Sequence, residues 1–261
     1  MRLLACVFLL AAPLFQGEPQ RTRWDGFGPG SWVETTLSNI GSAEPRHWMY
    51  TRDELAGKDG SGAAILRSYS KKQPGDAFLP CSGPYFPRLK GFYEGMTERS
   101  RRREERVVGA KTLSCDVVEY ASQETETGLQ STLTSWRAEG VALPPREMGA
   151  TAGQASVPSD VIRAVRVERR GAATLTVTIE VVDLNASLEI GERKIDCAVE
   201  TSVSTYDTGN GSVILRAQRR WLSPAVPGGV LRRERQCTDS KTAKPGDYNV
   251  REEVTAFHVE P

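Results

Sequence analysis

The chain has 261 residues, 39% of them apolar, and its 34 Lys and Arg against 33 Asp and Glu leave a formal net charge of +1. That length suits one large domain or two small ones, and that apolar share builds a core rather than a disordered tail. The balanced charge gives no global basis for nucleic-acid binding or for adhesion to an acidic membrane, and with only His47 and His258 there is little imidazole for hydrolytic or metal chemistry.

The first residues read as a secretory signal. Met1 and Arg2 precede an apolar run from Leu3 to Phe15, shorter than the ~20 residues that span a bilayer, and polar residues follow. A signal peptide over residues 1–17 and an exported protein, periplasmic or extracellular, are expected. No later run approaches ~18 apolar residues, so no transmembrane segment is expected. Cys6 in "LLAC" looks like a lipobox, but a lipidated cysteine follows the apolar run and here most of that run comes after it. Export permits disulfides, so Cys81, Cys115, Cys197 and Cys237 are disulfide candidates in any of three connectivities, with buried inert thiols as the other reading. The absence of a C-x-x-C pair argues against a zinc ribbon or a thioredoxin-type site.

Along the chain, Gly/Pro-rich residues from Trp24 lead into a strand over Ser31–Leu37, with Trp24, Phe27 and Trp32 as core anchors. Arg46–Leu55 and Ala63–Ser70 read as strands either side of the turn residues Ala56–Gly62. Lys71–Gly95, rich in Pro and Gly, reads as a long surface loop. The charge run "TERSRRREER" (Thr97 to Arg106) contains Glu98, Glu104 and Glu105 and reads as a solvated strand or helix end rather than a nucleic-acid patch. In Thr112–Glu119, Leu113, Cys115 and Val117 share one face; in Lys194–Glu200, Ile195, Cys197 and Val199 do the same. Period two is what a half-buried strand requires, because successive side chains point to opposite faces. Val161–Glu168 and Thr174–Val181 form a predicted hairpin, and Asp207–Ser212 a turn between strands starting at Lys194 and Val213.

The two cysteine strands head a longer repetition. Each follows a glycine six residues before its cysteine and leads through a polar turn to a strand ending in tryptophan, then to a proline-containing corner and an Arg-Glu pair. Trp136 lies 21 residues after Cys115, and Trp221 lies 24 after Cys197. Trp221 is in phase with Val213 and Leu215, whereas Trp136 is out of phase with Leu129 and Leu133, which a bulge in the first copy would restore. The expected fold is mainly β with little helix: two related antiparallel β-sheet halves, an internal duplication, forming one curved sheet or two facing sheets. The halves are residues 18–148 and 149–261.

No G-x-S-x-G elbow, H-E-x-x-H, P-loop or G-x-G-x-x-G is present. Glu34, Asp53, Glu54, Asp116 and Glu119 are arguable for a two-carboxylate hydrolase, but none is singled out. His47, next to Trp48, reads as a packed or surface histidine. "NAS" (Asn185 to Ser187) and "NGS" (Asn210 to Ser212) match the N-glycosylation acceptor and equally serve as turns.

"GSWVETT" (Gly30 to Thr36), "GAKTLSCDVVEY" (Gly109 to Tyr120) and "GERKIDCAVE" with "RRWLSPAVPGGVLRRE" (Gly191 to Glu234) resemble exported proteins of planctomycete-type bacteria, across about a third of the chain. Their layout is similar to bacterial lipoprotein-carrier folds, which wrap an antiparallel sheet round an apolar cavity. The resemblance implies a cradle for an apolar or acyl ligand, with Trp32, Trp136 and Trp221 lining or flooring it. The expectation is therefore a non-catalytic envelope protein without cofactor or metal, binding an apolar or acyl ligand on a concave sheet. A structural or protein-interaction module with an envelope partner is the alternative, and a carboxylate hydrolase a third.

Overall fold

A computed structural model describes residues 23–40, 47–60, 64–81, 90–125, 127–150, 153–210, 213–239 and 249–261. The predicted signal peptide, Cys6 and residues 211–212 of the second glycosylation motif lie outside these. The described residues hold no helix, and sixteen strands account for the fold. They are β1 (Trp32–Asn39), β2 (His47–Lys58), β3 (Ala64–Lys71), β4 (Leu79–Pro80), β5 (Lys90–Gly91), β6 (Met96–Val108), β7 (Lys111–Ser122) and β8 (Leu129–Ala138). There follow β9 (Arg146–Ala150), β10 (Gly153–Val157), β11 (Val161–Arg170), β12 (Ala173–Ile190), β13 (Arg193–Asp207), β14 (Val213–Leu222), β15 (Val230–Asp239) and β16 (Val250–His258).

Thirteen of these form one sheet, ordered β4-β3-β2-β1-β16-β15-β14-β13-β12-β11-β8-β7-β6, and β5-β10-β9 form a small second sheet. Every pair in the large sheet is antiparallel; most are sequence neighbours joined as hairpins, while β1–β16 and β8–β11 are long-range pairs. Residues 23–148 supply both ends of the large sheet and residues 149–261 its middle, while β9 runs across residue 148. The charge run is strand β6, an edge whose arginines and glutamates leave it exposed along most of its length. An edge laden with charge discourages pairing with another chain.

Two apolar clusters sit at matching places in the sheet. One joins Val108, Cys115, Trp136, Leu143, Ile162, Val181 and Ala198, with Leu113 and Leu184 packed on it. The other joins Ile190, Cys197, Val226, Leu231, Val254 and Val33, with Ile195, Trp221 and Phe257 packed on it. The strand registers carry the same parallel. Val117 faces Trp136, which faces Arg163, then Glu180, then Thr201 on five successive strands. Val199 faces Trp221, then Arg232, Glu253 and Thr36 on the next five, with β13 shared. In each ladder the threonine hydroxyl donates to the glutamate's backbone carbonyl, at 3.3 Å from Thr201 and 3.5 Å from Thr36. Each has one bulge beyond its Trp–Arg pair, and the extra residue, Ile162 or Leu231, is buried. The bulge expected in β8 is thus in β11. Trp136 stays on the face opposite Leu133, because Leu133 faces Tyr120 and packs under the small sheet.

A third cluster fills the opposite face. Leu133, Ala164, Val177 and Ile179 of the large sheet meet Phe92, Met148, Ala155 and Val157. The small sheet thereby removes from water a face that alternation alone would leave half exposed.

Candidate functional site

The three tryptophans lie on one face of the sheet but on strands far apart. Trp136 on β8 and Trp221 on β14 are four strand spacings from each other, about 19 Å along the sheet at ~4.8 Å each. Trp136 is buried, its indole N–H donates to the Glu104 carboxylate, and the guanidiniums of Arg163 and Arg106 lie 4.9 and 5.6 Å from its ring centre. Trp221 is half-buried between Arg219 and Arg232, at 5.0 and 5.3 Å. Trp32 stacks on His258 at 6.1 Å and carries Arg52 at 4.6 Å. All three rings are therefore faced by cations, an arrangement that favours the indole quadrupole. The structure does not bring them together around one site.

Most of the arguable carboxylates are engaged locally. Glu34 is ion-paired with Arg52, Glu54 with Arg67, Asp116 with Arg103 and Glu119 with Arg102. Asp53 accepts a hydrogen bond from the Ser68 hydroxyl, and burial pushes its carboxyl above the ordinary value. His47 is exposed and lies 6.2 Å from the Tyr50 ring. Among the described residues no group of three or more His, Cys, Asp and Glu is placed to hold a metal. Among the described residues the four cysteines are free thiols: Cys81 is exposed, Cys237 half-buried, and Cys115 and Cys197 are buried in separate clusters.

The most unusual chemistry is a buried charge network on the other face. Glu200 is buried and receives Arg146 on one carboxylate oxygen, at 2.8 Å, and Arg220 on the other. Arg146, the first residue of β9, also donates to the carbonyls of Pro158 and Val161. Arg220 donates to the Glu147 carbonyl at 3.2 Å, and the Glu147 side chain holds Arg23. Directly opposite Arg220 stands Arg233, and opposite that Glu252, which pairs with Arg233 at 3.3 Å and Arg235 at 3.6 Å. Burial pushes the Arg146 guanidinium below its ordinary value, with Glu200 acting against that shift and Arg220 adding to it. Burial does the same to Arg233, where Arg23, Arg220 and Arg235 add to the effect and Glu252 opposes it.

Sequence reasoning missed this network because strand alternation assigns Glu200, Arg220 and Arg233 to the polar face, which in a half-buried sheet is solvated. The signal lay in "CAVE", "RRW" and "LRRE", which place Glu, Arg and Arg in phase on three adjacent strands. The cover that buries Glu200 and Arg220 comes from β9, through Arg146 and the Glu147 carbonyl.

No protein family and no curated protein matches the chain. A solved structure of a "putative lipoprotein" from Parabacteroides distasonis superposes on it with a TM-score of 0.35 and 10% identity, covering 92% of this chain and 97% of that one. A likeness of that size carries neither a shared activity nor a shared ligand. Among the described residues no helix is long and apolar enough to cross a membrane.

Proposed function

We propose that the chain is an exported, non-catalytic interaction module of the cell envelope, built from a four-strand unit written twice. The matching ladders and clusters support the duplication. The functional reading rests on two uncharged rungs of the tryptophan-bearing face. Thr132, Val167, Thr176, Thr205 and Leu215 face one another across five strands, and so do Thr134, Val165, Thr178, Val203 and Ala217. None of the ten is buried, and Val203 and Leu215 are each 41% exposed. In a chain with 26% charged residues, ten adjoining neutral positions on a broad sheet face suit a protein partner, because they shed little polar hydration on contact.

An apolar or acyl ligand held by Trp32, Trp136 and Trp221 is the other occupant, but the guanidiniums over each ring and the filled clusters beneath favour a protein. The test is photo-crosslinking in the native envelope, with the reactive residue at position 203, or at Lys111 as an exposed control. A discrete adduct at 203 that is lost on Leu215→Lys and missing at 111 is the expected result. Equal labelling at both positions defeats the reading. Lipid recovered by organic extraction of the purified protein transfers the face to the acyl ligand.

A further inference from the structure

The arginine network, buried at Arg146, Arg220 and Glu200 and part-exposed beyond them, has more cations than its own carboxylates balance. Arg23, Arg146, Arg220, Arg233 and Arg235 meet Glu147, Glu200 and Glu252. Two further carboxyls act on the network, Asp160, which is paired with Arg137, and Asp53, which accepts a hydrogen bond from Ser68; counting both, with Arg137, leaves six arginines against five carboxyls. Arg220 and Arg233 occupy directly opposed positions of an antiparallel pair, where like charges repel. The Nε atoms of Arg146, Arg220, Arg233 and Arg235 are buried and find no acceptor among the described residues. Unpaired buried donors and surplus buried charge both cost stability unless a partner arrives.

The network also has an open end. The Arg146 and Arg220 side chains are 0% and 5% exposed, sealed under β9, whereas Arg23, Arg233 and Arg235 are 28%, 19% and 34% exposed. Guanidinium forks match the planar oxygens of a carboxylate and the tetrahedral oxygens of a phosphate, and they bind them with charge-assisted hydrogen bonds.

We propose that Arg23, Arg233 and Arg235 form the mouth of a site for a small oxyanion, a phosphate or carboxylate group, with Arg220 and Glu200 as its fixed floor. The anion completes the charge balance and takes up guanidinium N–H groups that the protein leaves unused. The site lies on the face opposite the exposed Thr/Val rungs, so it stands or falls apart from them.

The test is calorimetric titration of the full chain with inorganic phosphate, sulfate and acetate, using Arg233→Gln and Arg235→Gln, with Arg103→Gln on the exposed β6 edge as a charge-matched control. Saturable one-to-one binding by at least one of these anions is expected. It should weaken at least tenfold in both network variants and stay unchanged in the control. Sedimentation with phosphatidylglycerol vesicles against phosphatidylcholine vesicles separates the sources: loss of phosphatidylglycerol binding in the same variants assigns the group to a lipid headgroup, and its absence beside phosphate binding assigns it to a soluble anion. In anion-free buffer, Arg233→Gln should melt at or above the parent temperature, since it removes surplus charge, whereas a purely structural arginine would lower it. No saturable binding of any probe, undiminished binding in both variants, or a lower melting temperature for Arg233→Gln overturns the proposal.

Discussion

At the scale of single residues, Glu200 is the position on which most charge depends. Its two oxygens hold Arg146 and Arg220, both buried. Removing one member of a buried ion network leaves the others uncompensated, which costs about 3–5 kcal/mol. Glu200→Gln should therefore lower the unfolding free energy measured in urea by that amount, while Glu34→Gln, paired with a part-exposed Arg52, should cost under about 1 kcal/mol. The buried cysteines make a different prediction. Burial, with Asp183 and Asp196 adding, pushes the Cys197 thiol up to about 11, and burial also raises Cys115. An unfolded thiol ionises nearer 9. Between pH 9 and 11 the folded state keeps a proton that the unfolded state has lost, so stability falls as pH rises through that window. Cys197→Ala should flatten this alkaline slope in a series of thermal melts. A thiol reagent applied to the folded protein should label Cys81 quickly and reach Cys115 and Cys197 only on unfolding.

At the scale of elements, the two glycine turns that open the cysteine strands can be compared directly. Gly109 and Gly191 sit at φ +58° and +59°, where a side chain is strained. Around Gly191 there is open space, whereas a β-carbon on Gly109 would meet Asp183 Oδ1 at 3.1 Å, an oxygen already held by the Asn185 backbone N–H at 2.9 Å. Gly191→Ala should cost about 1 kcal/mol and Gly109→Ala roughly twice that, read from paired denaturation curves. These turns, and the strands they join, were legible in the sequence because period two and turn chemistry are local properties. Thr174–Val181 was recognisable from its β-branched alternation, although β12 runs on to Ile190 past two register shifts that break the pattern. The small sheet was not legible: β5 has two residues, and β9 and β10 five each, too few to show a period. The burial of Glu200 followed from that blind spot, since only β9 brings Arg146 over it. The tryptophans were legible as large apolar residues on strands, but their guanidinium neighbours depend on cross-strand register, which alternation alone leaves open.

At the scale of the molecule, the order of strands decides what can fold alone. The sequence suggests a boundary near residue 148, but β1 pairs with β16 across more than two hundred residues. Val33, Leu55 and Leu66 from the beginning of the chain share a cluster with Cys197, Leu231 and Val254 from its end. A chain of residues 149–261 would therefore present β16 and β11 as bare edges, strip the cover from Val254 and Leu231, and lose Arg146 from over Glu200. Unpaired apolar edges of that kind invite association. Residues 18–148 alone would be left as two separate patches, β1–β4 and β6–β8, without the strands that join them. Each half expressed singly should be insoluble or lack the near-ultraviolet signal of packed tryptophans, and co-expression should restore one soluble complex with the spectrum of the whole chain. If residues 149–261 alone gave a monomer with a cooperative melt, the shared cluster would not be holding the sheet together, and the two ladders would have to be stable independently of the β1–β16 seam.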